Sequence, residues 1–295
     1  MNAITTPVSF PENSTTVRLR PVPAPAWLRT GMKAVSAVAP DLAAKLAHRL
    51  FFTPIRARVR DEERAVLARG EAFTLGPEGE RVVGRVWGEG PAVLLVHGWG
   101  GHSGQMTALV EPLVAAGCRA VALDLPGHGA SDGRVSSLVH GARALKRVAA
   151  LFGPFEGLIA HSFGAAVSTY AITQGLPVRR AVYFAPPSRF ETFWLRFRMG
   201  VGVSAAVMER MLRRAEEWLH VKFDGLSPVD MAPRMDTPLL ILHDPGDREM
   251  PFSEGTELAR TWPGAVLQRA EGLGHLRLLR DPGCVAGAVA FLREE

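Results

Sequence analysis

Ser162 lies in Ala160-His161-Ser162-Phe163-Gly164, where the apolar run EGLIA (156–160) gives way to the small-residue stretch AAVSTYA. A serine on a sharp turn between a strand and a helix presents its hydroxyl as a nucleophile, and the turn demands small neighbours two residues to either side. Ala160 and Gly164 meet that demand, with Ala160 standing where the G-x-S-x-G pattern has its first glycine. A hydroxyl attacks poorly until a base takes its proton and a carboxylate steadies the base. His275, in EGLGHLRLL, is flanked by small residues and has the near-neutral chemistry for that exchange. HDPGDREMP, after the run PLLIL, offers two carboxylates. Asp247, deeper in the loop and four residues before Pro251, is the expected partner of His275, and Asp244 is the alternative. Each of these motifs alone fits an ordinary loop side chain; their order Ser, Asp, His along the chain, each after an apolar run, joins them.

Acyl transfer also develops negative charge on a carbonyl oxygen, which backbone N–H groups stabilise where the chain can approach closely. VLLVHGWGG supplies such a loop, with His97, Gly98, Trp99, Gly100 and Gly101 following a buried run. The expected oxyanion donors are the amides of Trp99 and of Phe163, the residue after the nucleophile, with His97, Gly98, Gly100, Gly101, His161 and Gly164 as supporting loop residues. The rival reading, a phosphate-cradling glycine loop, lacks both a following Lys-Ser/Thr and a G-x-G-x-x-G spacing. No H-E-x-x-H or clustered His/Asp spacing suggests a metal, and no cofactor is expected.

The elements that must hold these residues read as alternating strands and helices. EAFTLG and RVVGRVWG form an expected antiparallel hairpin across Gly76-Pro77-Glu78-Gly79. AVLLV (92–96), RAVALDL (119–125), EGLIA (156–160), RAVYFA (180–185), PLLILHD (238–244) and AVLQRAEG (265–272) are short apolar runs, mostly separated by segments of helical composition. That alternation predicts a parallel sheet covered on both faces, with ligands outside the carboxyl ends of its strands. Residues 26–70 read as three helices, WLRTGMKAVSAVA, DLAAKLAHRLFF and RARVRDEERAVLARG, after a loose tail over residues 1–25. The expected division is a basic tail and helical arm (1–70), a first core part (71–186), a helical insertion (187–237) and a second core part (238–295).

From about Glu71 to the C-terminus the chain resembles the α/β-hydrolase fold superfamily. Ser162, Asp247 and His275 follow its triad order, Asp124-Leu125-Pro126-Gly127-His128-Gly129-Ala130-Ser131 resembles the turn after its fourth strand, and GLIAHSFGAA resembles its nucleophile elbow. The resemblance implies a mostly parallel eight-stranded sheet flanked by helices, with a short helical cap where residues 187–237 lie. With FFTPIRARVR ahead of the core, the whole chain is similar to capped, serine-nucleophile bacterial members, a likeness that fixes no substrate. Haloalkane dehalogenases and epoxide hydrolases carry Asp at the nucleophile, and epoxide hydrolases add cap tyrosines. Here the nucleophile position is Ser162, and both tyrosines, Tyr170 and Tyr183, fall outside the insertion.

The expected activity is therefore hydrolysis of an ester-type acyl bond in a small apolar substrate, with thioesterase, lactonase, C–C hydrolase and amidase activities open on the same triad. Phe190, Phe193, Trp194, Phe197, Met208 and Met211 of the insertion are candidates for the substrate pocket, although packing of the insertion on the core explains such residues equally well. A binding protein without turnover is the reading from another class. The formal charge of +5 is unevenly held: residues 1–70 carry 11 Lys and Arg against 5 Asp and Glu, a net +6, while residues 71–295 carry 23 against 24, a net −1. A near-neutral catalytic part argues against nucleic acid as its substrate. The basic segment, with Trp27, Leu28, Phe51 and Phe52 among its cations, suits peripheral membrane contact or an oligomer interface through residues 26–70. The uncharged runs Gly90–Val110 and Gly157–Val178 are interrupted by HGWGGHSG and HSFG, so neither reads as a transmembrane segment. Cys118 and Cys284 lack motif spacing and read as reduced core residues of a cytoplasmic protein.

Overall fold

The computed structural model describes residues 24–294; the tail expected over residues 1–25 lies outside them except for its last two positions. Three helices come first, α1 (Ala26–Val38), α2 (Pro40–Phe52) and α3 (Asp61–Arg69). The third begins later than its composition predicts. Residues 53–60 are not helical, and the Glu63 carboxylate accepts the Arg60 N–H at 2.8 Å, which starts the helix at Asp61.

Eight strands follow: β1 (Glu71–Leu75), β2 (Val82–Trp87), β3 (Ala92–Val96), β4 (Arg119–Leu123), β5 (Phe155–His161), β6 (Val178–Phe184), β7 (Leu239–His243) and β8 (Val266–Arg269). They form one sheet in the order β1-β2-β4-β3-β5-β6-β7-β8, antiparallel for β1–β2 and β2–β4 and parallel elsewhere. Between and after them run α4 (Val110–Ala115), α5 (Leu138–Phe152), α6 (Phe163–Thr173), α7 (Phe190–Val201), α8 (Ala205–Leu219), α9 (Pro228–Met231), α10 (Phe252–Thr261), α11 (Gly274–Arg277) and α12 (Pro282–Leu292).

Successive side chains of a strand face opposite ways, so the continuous apolar runs feed two cores. Leu94, Val96, Leu158, Ala160, Tyr183 and Ile241 pack with α5, α6 and α10 on one face. Val93, Leu95, Ile159, Val182, Phe184 and Leu242 pack with α4 and α12 on the other. Cys118 and Cys284 are buried free thiols in that second core. A third apolar cluster joins the N-terminal helices to those between β6 and β7, with Met32, Ala43, Ala44 and Ala47 against Phe197, Val201, Val207, Met208 and Met211. No helix among the described residues is long and apolar enough to cross a membrane.

Strand order decides where a site can form. β3 is hydrogen-bonded to both β4 and β5, so the chain leaves β3 and β5 in opposite directions along the sheet. A crevice opens at the carboxyl ends of strands at such a switch point. The loops after β3, β5, β7 and β8 all emerge on that side.

Candidate active site

Ser162 sits between β5 and α6 with φ 50° and ψ −120°, a left-handed conformation that costs a non-glycine residue about 1–3 kcal/mol. Its N–H is tied to the Phe184 carbonyl at 2.9 Å, and α6 begins at the next residue. The turn is packed too closely for larger neighbours. A Cβ on Gly164 would lie 2.5 Å from the His97 carbonyl oxygen, and one on Gly98 would lie 2.8 Å from His161 Nδ1 and 3.2 Å from Ser162 Cβ. Glycine at both positions lets the loop after β3 rest on the turn after β5.

His275 lies on α11 with Nδ1 2.7 Å from Asp247 Oδ2. A carboxylate oxygen accepts, so Nδ1 carries the proton and Nε2 is left with its lone pair. The other Asp247 oxygen accepts the N–H groups of Glu249 and Met250 at 2.7 and 2.9 Å. Burial alone would raise the pKa of this carboxyl, but the His275 contact and the two amides outweigh it and hold the group below the usual carboxylate range. Asp244 does different work. Its oxygens accept the Gly246 N–H at 2.7 Å and the Gly274 N–H, which pins the loop that carries His275. Of the two candidate aspartates, the structure brings Asp247 to the imidazole.

Two more histidines frame this arrangement. His161 Nε2 is 2.9 Å from the His275 carbonyl oxygen, so it donates, and its ring lies 4.6 Å from the His275 ring. Burial first, and then the neighbouring His275 ring, lower its pKa to about 3, so it is neutral at pH 7. His97 Nε2 accepts the Leu125 N–H at 2.9 Å and Nδ1 donates to the Gly98 carbonyl at 2.7 Å, which locks the loop after β3 to the turn after β4. Asp124 completes that turn by accepting from Ser103 N–H at 2.6 Å and Ala130 N–H at 2.7 Å.

Ser162, Phe163, Trp99 and His275 all line one cavity of about 540 Å³. Trp99 is partly exposed, and its ring meets the Phe163 ring edge-on at 5.1 Å. Of the expected pocket residues, Phe190, Phe193, Trp194 and Phe197 line the cavity. Met208 and Met211 do not. They face the other way, into the cluster between α2 and α8, because an amphipathic helix spends its apolar stripe on its nearest neighbour. The same cavity has walls that local sequence reading missed: Pro25, Leu28, Leu50, Phe51, Phe52 and Ile55 from the N-terminal segment. Of these, Leu28, Phe51 and Phe52 stood out in the sequence only as apolar residues suited to a membrane or oligomer contact, and the structure puts them on the cavity. Among the described residues, no group of three or more His, Cys, Asp or Glu is placed to hold a metal ion.

A strained turn that bears Ser162, an imidazole held by a carboxylate, and a glycine loop against the turn converge at the switch point of this sheet. The profile of the alpha/beta hydrolase family matches residues 93–286, about two thirds of the chain. The chain belongs to that family. It is 38% identical over 92 residues to a serine hydrolase-like protein of Danio rerio, a match that takes in 29% of this chain and 28% of that protein. It is 48% identical over 44 residues to a pimeloyl-[acyl-carrier protein] methyl ester esterase of Chromobacterium violaceum, over 15% of this chain and 17% of that one. The matched stretches thus span less than a third of these relatives' own lengths. Among solved structures, an esterase from Exiguobacterium antarcticum superposes with a TM-score of 0.57 at 15% identity, over 72% of this chain and 96% of that one.

Proposed function

We propose that the protein is a serine hydrolase that cleaves an ester-type bond of a small apolar substrate, with Ser162, His275 and Asp247 as nucleophile, base and orienting acid. The observation that carries this reading is the 2.7 Å contact between His275 Nδ1 and Asp247 Oδ2, on the same cavity as the strained Ser162. In this mechanism His275 Nε2 takes the Ser162 proton as Oγ bonds to the substrate carbonyl carbon. The amides of Trp99 and Phe163 hold the resulting oxyanion. The imidazolium then protonates the leaving oxygen as its bond to carbon breaks. A water, deprotonated by the same nitrogen, releases the acid and restores the serine. Asp247, ionised throughout, keeps Nδ1 protonated and stabilises the imidazolium.

An oxygen ester is preferred because relatives with matching segments are named as methyl ester hydrolases, among them a protein phosphatase methylesterase of Bos taurus. The apolar walls Phe190, Phe193, Trp194 and Phe197 support an apolar acyl group. The helices between β6 and β7 act as a cap in this reading, and the N-terminal helices as an arm packed against it. The test is turnover of short acyl esters by a Ser162→Ala variant, together with labelling by a fluorophosphonate probe. A loss of about 10³–10⁶-fold in kcat is expected, with labelling abolished. Undiminished turnover in that variant would sink the assignment.

A further inference from the structure

The N-terminal segment is a fixed part of the cavity wall. Arg56 spreads its guanidinium over the turn after β4, with Nε donating to Gly127 O at 2.9 Å and Nη1 to Gly129 O at 3.0 Å. Its Nη2 donates to Ser131 O and Gly133 O at 3.2 and 2.8 Å. The next residue, Ala57, donates its N–H to Gly100 O at 2.8 Å, and Phe52 O accepts the Ser136 N–H at 2.8 Å. Gly100, read from the sequence only as part of the loop after β3, has φ 71°, and a Cβ there would stand 2.8 Å from the Ile55 carbonyl oxygen. The chain at Ile55–Ala57 is therefore clamped directly against the loop that bears Trp99.

These ties hold Leu28, Leu50, Phe51 and Phe52 opposite the face of α7 that carries Phe193 and Phe197, with Ile55 at the rim, 91% exposed. The Phe51 and Phe197 rings meet edge-on at 5.1 Å, and the Arg210–Asp41 pair at 2.8 Å joins α8 to the start of α2. The space they enclose is mostly apolar, with Arg196 and Glu249 also on its wall, and opens onto Ser162. Taking ~30 Å³ for a group the size of a water molecule, the cavity has room for about eighteen such groups. The scissile group and the near part of the leaving group take several of these. A single-ring aryl acyl group would leave much of the wall without partners, which forfeits contact energy.

We propose that residues 24–55 form one side of an acyl-chain pocket and set its length, and that the substrate is an ester of an aliphatic acid of roughly eight to twelve carbons. This rests on the serine-hydrolase reading above. Each further methylene drawn into the pocket is worth up to about fourfold in kcat/KM, so the gain continues until the pocket is full and then reverses.

The experiment measures kcat/KM for 4-nitrophenyl esters from acetyl to hexadecanoyl, below their aggregation concentrations, with the cinnamoyl ester alongside. The proteins are the full chain, Leu28→Trp and Phe51→Ala, each checked for folding by circular dichroism. The wild-type profile is expected to peak between eight and twelve carbons, well above the cinnamoyl ester. Leu28→Trp, which fills the pocket from its half-buried rim, should lower the decanoyl-to-butanoyl ratio about tenfold or more. Phe51→Ala, which deepens it, should move the peak to longer chains; if that variant does not fold, Leu28→Trp decides alone. A flat wild-type profile, a preference for the aryl ester, or wild-type ratios in the folded variants would overturn the proposal. Those results with Ser162 still labelled by the fluorophosphonate overturn the pocket alone; absence of both labelling and turnover overturns the serine-hydrolase reading with it.

Discussion

Two aspartates three residues apart, both buried and both accepting hydrogen bonds, divide the work of one loop. Asp247 meets the imidazole, whereas Asp244 meets only backbone amides, Gly246 and Gly274. An Asp247→Asn substitution keeps the shape but presents an amide that can donate to Nδ1, which favours the wrong tautomer of His275. We expect a loss of about 10³–10⁴-fold in kcat at pH 7. Asp244→Asn keeps one acceptor for the loop and leaves the imidazole's partner alone, so its kcat should fall by less than about 100-fold, with the larger effect on Tm. Steady-state kinetics of the two variants, side by side, would test this division. Equal losses in both would mean that the short contact to His275 carries no special weight.

At the scale of elements, the segment between α2 and α3 is the most informative departure from expectation. Residues 56–60 read from the sequence as the start of α3, yet they are not helical, because the Arg56 side chain finds four carbonyl acceptors on the turn after β4 and Ala57 pairs with Gly100. Helix propensity differences amount to a few tenths of a kcal/mol per residue, and several hydrogen bonds from a cation outweigh them. Arg56→Ala removes all four bonds from a partly exposed site and should cost about 1–2 kcal/mol. Arg56→Lys should recover little of this, because an ammonium cannot spread over acceptors arranged for a planar fork. Urea denaturation midpoints and the rate of proteolytic cleavage near residues 53–60 would measure the effect. An unchanged midpoint and cleavage rate in Arg56→Ala would show that the segment between α2 and α3 is not held by this side chain.

For the molecule as a whole, several histidines are buried in the neutral form. Burial, assisted by neighbouring imidazoles, lowers His128 and His161 to about 3 from an ordinary value of 6.5. The unfolded chain therefore takes up protons below about pH 6.5 that the folded chain refuses. Stability is fully present above that pH and is lost as pH falls from 6.5 toward 3, by up to about 1.4 kcal/mol per pH unit for each such histidine. Asp247, held low in the folded state, contributes stability above the unfolded carboxylate range and loses it only at lower pH. The melting temperature should thus begin to drop below about pH 6.5, well before carboxylates titrate. A Tm constant from pH 7 down to pH 4.5 would contradict the neutral burial of these rings.

Much of the frame was legible in the order of residues, because it depends on information that is local. Uninterrupted apolar runs mark β3, β5, β6 and β7. Small residues at Ala160 and Gly164 mark a turn too tight for anything larger, and Gly164 packs against the His97 carbonyl for that reason. Ser162, Asp247 and His275 could be nominated from their positions after successive apolar runs. The order of residues alone left Asp244 and Asp247 as rivals, since both sit in the same polar loop. Their separation came from the docking of α11, some thirty residues further on. Likewise it could not tell Phe193 and Phe197, which face the cavity, from Met208 and Met211, which face α2. Amphipathic periodicity says that a helix has an apolar face, but not which neighbour will cover it. The N-terminal wall of the cavity was the least legible part, because its contacts join Arg56 to residues more than seventy positions away and exist only in the folded chain.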